Sequence, residues 1–182
     1  MKQFLNEQIE FYEVQKFKQK TLTVLVVVSA IFPLLFFIYG YYLQSVEHIP
    51  FGDKPLSNQG LLISIAISLI FAVGILVLFF SSKLETYITK SGIHVRLFPF
   101  MKFKTYSFDN IKRFNIREYS PILDYGGWGI RVGPAGRAFN VYGKVGIQLL
   151  FKDGARLLIG TQKPEDFYNA LSKFCNQNEV HK

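Results

Sequence analysis

Two long apolar runs dominate the first half of the chain. Neither Thr21–Leu43 nor Leu61–Phe80 contains Asp, Glu, Lys or Arg. Each run is close to the roughly 20 residues that a helix needs to cross about 30 Å of hydrocarbon. Because a small domain cannot bury two helices that are apolar all round, the pattern predicts two transmembrane helices rather than two core helices.

The segment boundaries follow from these runs. They predict an N-terminal segment at 1–20, transmembrane helices at 21–43 and 61–82, a loop at 44–60 and a C-terminal domain at 83–178. A cleaved signal peptide is the alternative for the first run. However, acidic residues are mixed with the preceding lysines, and no small-x-small cleavage site follows. The first run is therefore predicted to remain uncleaved.

After residue 83 the pattern changes to the alternation that is typical of strands. Leu84–Thr89 and Ile93–Phe98 flank a short Lys-Ser-Gly turn, and a Lys-Asp-Gly turn at 152–154 joins two further runs. Pro164 suits the first position of a closing helix. The predicted apolar face of that helix comprises Phe167, Ala170, Leu171 and Phe174. Seven or eight strands and one helix predict an α+β membrane protein with an antiparallel β-barrel or roll capped by a C-terminal α-helix.

Charge sets the predicted orientation. The chain has 21 Lys and Arg against 13 Asp and Glu, a net charge of +8, and the excess lies in residues 83–182. The positive-inside rule therefore predicts that both termini are cytoplasmic and that loop 44–60 is extracytoplasmic. The predicted location is a bacterial inner (plasma) membrane, crossed more than once.

The sequence offers little for catalysis or metal binding. Its one cysteine, Cys175, excludes an intrachain disulfide, and the three histidines are far apart in sequence. No Ser-His-Asp arrangement or paired-carboxylate spacing is found. The glycines between 126 and 146 lie between strands, where turns and bulges use them, and not between a strand and a helix as in a phosphate loop. The sequence predicts a protein that is not an enzyme and binds no metal or cofactor.

Several short motifs occur together in a fixed order. They are Gly92-Ile93, Phe98-Pro99-Phe100, Asp109-Asn110-Ile111, Gly126-Gly127-Trp128-Gly129-Ile130-Arg131, Lys152-Asp153-Gly154 and Ile159-Gly160-Thr161-Gln162, with Phe51–Pro55 and Glu13-x-Gln15-x-Phe17 upstream. The set resembles the bacterial PH-like (pleckstrin-homology-like) domain of small two-helix membrane proteins of unassigned function. The resemblance implies two nearly orthogonal antiparallel sheets and a C-terminal helix. It implies no reaction, cofactor or catalytic residue.

A basic surface of the C-terminal domain is the candidate interaction site. Its residues are Arg113, Arg117, Trp128, Arg131, Arg137 and Lys144. Two functions are open at this point. In the first, the domain is an interaction module that binds or scaffolds another protein or a second copy of the chain. In the second, its basic face senses anionic lipid head groups, and each nearby cation contributes on the order of 1 kcal/mol of attraction. Nucleic acid is not expected as a partner, because the aromatic residues near these charges fit core positions of strands.

Overall fold

The structure is a computed structural model in which residues 6–175 are described. The chain divides into two compact units. Residues 19–81 form the first, here called the helical unit, and the residues on both sides of it form the second, here called the β unit. The helical unit is therefore an insertion between the first and second strands of the β unit.

The helical unit contains α1 (Lys20–Ser45) and α2 (Asn58–Ser81), which include the two apolar runs. Both helices are long and apolar enough to cross a membrane. The buried positions in them are Ala30, Gly40, Leu61, Ser68 and Ala72. At Gly40 an added Cβ would lie 2.5 Å from the Phe51 ring, so the loop after α1 packs closely against this glycine.

The first sheet of the β unit has four antiparallel strands in the order β1-β2-β3-β4. The strands are β1 (Phe11–Lys16), β2 (Lys83–Thr89), β3 (Gly92–Phe98) and β4 (Lys104–Tyr106). The predicted hairpin between β2 and β3 is confirmed. Gly92 in its turn has a φ of 139°, and an added Cβ would lie 2.5 Å from the Tyr106 carbonyl oxygen. Glycine is therefore needed for β4 to pair beside this turn.

Strand β1 is not evident from the sequence pattern. Its inward positions are Phe11, Glu13 and Gln15, so burial alternates along the strand while apolar character does not. The strand pairs with β2 from Phe11 opposite Ile88 to Lys16 opposite Lys83. Part of the predicted N-terminal segment thus belongs to the same sheet as residues after position 83. The predicted end of the C-terminal domain, at 178, lies outside the described residues.

The second sheet has five strands in the order β5-β8-β9-β7-β6. The strands are β5 (Ile111–Glu118), β6 (Gly129–Gly133), β7 (Gly136–Asn140), β8 (Val145–Phe151) and β9 (Arg156–Gly160). The expectation of an antiparallel barrel is wrong in two respects. The described strands form two separate sheets rather than a closed barrel, and β7 runs parallel to β9. This parallel pairing joins the β6–β7 hairpin to the β8–β9 hairpin, each of which is antiparallel.

The inner faces of the two sheets enclose the main hydrophobic core, which helix α4 (Pro164–Ser172) completes. The predicted apolar face of this helix is confirmed for Phe167, Ala170 and Leu171, which are buried. The Phe167 ring stacks on the Phe11 ring with 4.7 Å between centroids. The core therefore links the C-terminal helix to the strand that precedes the helical unit.

A short helix, α3 (Pro121–Tyr125), covers part of the outer face of the second sheet and was not predicted. Ser120 caps it, since its hydroxyl accepts a hydrogen bond from the Leu123 amide at 3.3 Å. A small second core forms beneath it. Its buried members are Tyr119, Tyr125, Ala138 and Leu158.

Candidate functional site: a basic cleft between the two sheets

A cleft of roughly 750 Å³ opens between the edge of the first sheet and the hairpins of the second. Strand β4, the β6–β7 hairpin and the β8–β9 hairpin each supply part of its wall. Its polar and charged lining residues are Lys104, Thr105, Ser107, Asn110, Arg137, Lys152, Asp153 and Arg156. The volume is within the range of sites that hold small molecules or short peptide segments.

Positive charge predominates in the lining of this cleft. Four of its residues, Lys104, Arg137, Lys152 and Arg156, are cationic, against one acid, Asp153. The Asp153 carboxylate accepts a hydrogen bond from the Ala155 amide at 2.9 Å and so stabilises the β8–β9 turn. A net charge of +3 in a concave site favours a negatively charged ligand.

Aromatic rings form the apolar part of the cleft. Tyr106 and Phe151 stack with 5.6 Å between ring centroids, and Leu157 lies beside them in the lining. The Lys104 ammonium lies 5.4 Å from the Tyr106 centroid, within the range of a cation–π interaction. Burial raises the pKa of Tyr106 to about 12, against the opposing effect of positively charged Arg137. The Tyr106 hydroxyl is therefore neutral at physiological pH and can donate a hydrogen bond.

A glycine allows two sides of the cleft to approach each other closely. Gly136 begins β7 with a φ of 108°, and an added Cβ would lie 2.6 Å from the Arg156 carbonyl oxygen. The next residue, Arg137, pairs with Leu157 in the parallel register of β7 and β9. This close approach brings Arg137 and Arg156 into the lining of the same cleft, although they lie in different hairpins.

In the structure, the residues of the predicted basic surface lie apart from one another. Arg113 and Arg117 lie on β5, whereas Arg131 lies on β6 at the opposite edge of the second sheet. Four strand spacings of about 4.8 Å separate these edges by roughly 19 Å. Arg117 is also engaged, since it donates to Gln148 at 3.0 Å and lies 3.5 Å from Asp124. These three arginines do not form one contiguous site.

The other three predicted residues have separate environments. Arg137 lines the cleft. Trp128 is half-buried before β6, and its carbonyl oxygen accepts a hydrogen bond from Arg131 Nε at 2.7 Å. Lys144 is exposed before β8. The cleft cations that sequence reasoning missed are Lys104, Lys152 and Arg156, which no local motif connects because separate elements supply them.

A second polar cluster surrounds His94, a residue that is 2% exposed. Its Nε2 lies 3.0 Å from the Thr89 hydroxyl and 3.2 Å from the Ser91 hydroxyl, and its Nδ1 lies 2.9 Å from the Thr105 hydroxyl. In the catalytic triad of serine hydrolases a carboxylate faces the histidine Nδ1, whereas here the Thr105 hydroxyl takes that position. The Ser91 amide donates to Glu7 at 3.0 Å. The cluster therefore ties the β2–β3 turn to β4 and to the N-terminal residues.

The stability of the β unit is expected to fall as the pH drops below about 6.5, the pKa of an unfolded histidine. Burial lowers the pKa of His94, and the charge of Glu7 opposes this shift. Between the lowered folded pKa and about 6.5, the unfolded chain binds a proton that the folded chain does not, so the free energy of unfolding decreases as the pH falls. Denaturant titration monitored by Trp128 fluorescence measures this slope.

A His94→Gln variant is expected to lose this contribution to the slope. His48→Gln, which alters an exposed histidine of the helical unit, is the matched control and should retain it. Equal slopes in the His94→Gln variant and the unaltered chain would assign the pH dependence to other groups.

No family model matches the sequence, and no curated protein matches it significantly. Within residues 6–175, no group of three or more His, Cys, Asp or Glu side chains is placed to hold a metal ion. The arrangement of two long apolar helices, two sheets and a closing helix is compatible with the PH-like arrangement.

Proposed function

We propose that this chain is an integral membrane protein of a bacterial inner membrane, with both termini in the cytoplasm. Helices α1 and α2 contain 26 and 24 residues. At about 1.5 Å per residue they reach beyond the roughly 30 Å hydrocarbon core. Large apolar side chains such as Phe32 and Ile70 are exposed on them, which suits contact with lipid. The β unit, which contains the excess positive charge of the chain, is then the cytoplasmic part.

The β unit acts in this proposal as a PH-like interaction module without enzymatic activity. Its basic cleft binds an acidic segment of a partner protein, and the partner is thereby held at the membrane. The observation that supports this function is the cleft itself, where four cations and one acid surround a stacked Tyr106–Phe151 pair. Carboxylates of the segment would pair with the arginines, while its apolar side chains would pack on the rings.

The cleft is tested with the full chain in nanodiscs of neutral phosphatidylcholine. The probe is a fluorescent polyglutamate peptide, and anisotropy measures its Kd. Reversing two cleft charges together, Arg137→Glu and Arg156→Glu, is expected to raise the Kd by at least about tenfold, which corresponds to about 1.4 kcal/mol. Unchanged Trp128 fluorescence shows that the double variant remains folded.

The matched control reverses two arginines outside the cleft, Arg113→Glu and Arg131→Glu. The net charge changes by the same amount, so the peptide Kd should stay within about twofold if the cleft is the site. Equal weakening in both double variants would contradict the proposal, since it would show attraction by diffuse charge.

Anionic-lipid sensing by the basic face is the alternative function. Neutral nanodiscs that carry the chain would then be captured by phosphatidylglycerol vesicles. Capture that is lost on reversing Arg113, Arg117 and Arg131, with peptide binding absent, would favour this alternative.

A further inference from the structure

One end of the first sheet carries both connections to the helical unit. Strand β1 ends at Lys16 and β2 begins at Lys83, and these two residues pair directly. Only residues 17–19 separate β1 from α1, and only Ser82 separates α2 from β2. Phe98, the last residue of β3, pairs with Lys83 at the same end. The loop after β3 therefore starts beside the two connections.

This loop, residues 98–102, presents apolar rings to solvent. Phe98 is 40% exposed and Phe100 is 61% exposed, while Pro99 between them is also exposed. The Met101 amide donates to the Leu97 carbonyl at 2.8 Å, and the Met101 side chain packs against the main core. The loop is thus a tight turn, anchored at Met101, that directs its phenylalanines outward. Exposed rings of this size in one turn are typical of an interaction site.

Several cations lie in this loop and in the strand ends and connections next to it in the chain or in the sheet. Lys16, Lys18 and Lys102 belong to the same end of the sheet and its connections, and Lys16 is exposed. Lys83 lies 2.9 Å from the buried carboxylate of Glu85, which also pairs with Arg96, so the acid at this end is neutralised. The Arg96 guanidinium in turn lies 5.4 Å from the Phe98 ring centroid. Exposed apolar rings in a segment that also carries cations suit the boundary between acyl chains and anionic head groups.

We propose that loop 98–102 is a second membrane contact, which inserts Phe98 and Phe100 into the interface of the bilayer that α1 and α2 cross. The inference rests on the membrane insertion proposed above. Its occupant is a lipid surface, because the loop shares its sheet end with both connections to the helices and because its flanking charges complement anionic lipid. The contact would restrict rotation of the β unit against the membrane.

Depth-dependent fluorescence quenching tests this contact in the full chain. Trp128→Phe removes the native fluorophore, and Phe100→Trp places a new one in the loop. In bilayers containing phosphatidylglycerol, lipids brominated near the head-group end of their acyl chains are expected to quench the emission of the introduced fluorophore by at least about half, since these groups meet in the interface. Leu123→Trp in the same background is the matched control, because Leu123 is 84% exposed but lies on α3 over the second sheet. Emission from that variant should be unaffected.

The outcomes separate this inference from the proposed insertion. Resistance of the chain to extraction by alkaline carbonate reports insertion of the helices. A chain that resists extraction but shows no quenching at position 100 overturns the loop contact and leaves insertion standing. Equal quenching at positions 100 and 123 also overturns it, since the contact would not be specific to this loop. A chain that carbonate releases overturns both.

Discussion

A chain shortened to residues 83–182 is expected to lose the cooperative fold of the β unit. The shortening removes β1, which pairs with β2 over its full length and contributes buried Phe11 to the core. Deleting one large buried aromatic side chain costs about 3–5 kcal/mol. Loss of the whole strand costs more, which is comparable to the roughly 5–15 kcal/mol that stabilises a typical domain.

The matched variant keeps residues 1–18 and replaces 19–81 with a short Gly-Ser linker. Because Lys16 and Lys83 are paired neighbours, such a linker closes an ordinary antiparallel connection between β1 and β2. This variant is expected to unfold in one cooperative transition by Trp128 fluorescence, whereas the chain of residues 83–182 is expected to show none. A cooperative transition of equal midpoint in both chains would show that β1 is dispensable.

A Glu13→Ala substitution is expected to destabilise the β unit by about 2–4 kcal/mol. Glu13 is 6% exposed, and its carboxylate accepts hydrogen bonds from the Thr161 hydroxyl at 2.6 Å and the Gln162 amide at 2.8 Å. Removing it leaves two donors without their acceptor, and hydrogen bonds to charged groups contribute about 1.5–3 kcal/mol each. The two hydrogen bonds that would be lost connect β1 to the segment that leads into α4.

Denaturant unfolding of the full chain measures this loss. Glu118→Ala, which removes an exposed carboxylate on β5, is the control and should change stability by less than about 0.5 kcal/mol. Combining Glu13→Ala with Thr161→Val completes a double-mutant cycle, in which the two losses should be less than additive. Additive losses would mean that the Glu13–Thr161 contact does not stabilise the fold.

Features set by neighbouring residues could be predicted from the sequence. The two apolar runs, the hairpin at Gly92 and the apolar face of α4 each depend on a short stretch whose hydrophobic period identifies it. In contrast, β1 could not be predicted from a hydrophobic period, because two of its three inward positions are Glu13 and Gln15. Their partners, Thr161, Gln162 and Gly160, lie near the other end of the chain. No local pattern can show that buried polar groups will be satisfied at such a distance.

The residues of the cleft could be predicted from the sequence only in part, for a similar reason. The sequence identifies basic positions on strands, but the face and the edge of each strand decide which of them meet. Arg113 and Arg131 have similar local patterns and lie about 19 Å apart, because β8, β9 and β7 separate their strands. Arg137 reaches the cleft because β7 pairs in parallel with β9, a pairing that consecutive hairpins do not indicate.

The insertion of the helical unit between β1 and β2 has a consequence for biogenesis. During synthesis β1 emerges first and has no partner strand until both helices have been made. With the helices inserted as proposed, β1 and β2 reach the same compartment only after an even number of membrane crossings. A chain that failed to insert one helix would leave β1 on the opposite side, and the β unit would lack its first strand. Completion of this sheet would therefore act as a check on membrane topology, and misinserted chains would be exposed to quality-control proteases.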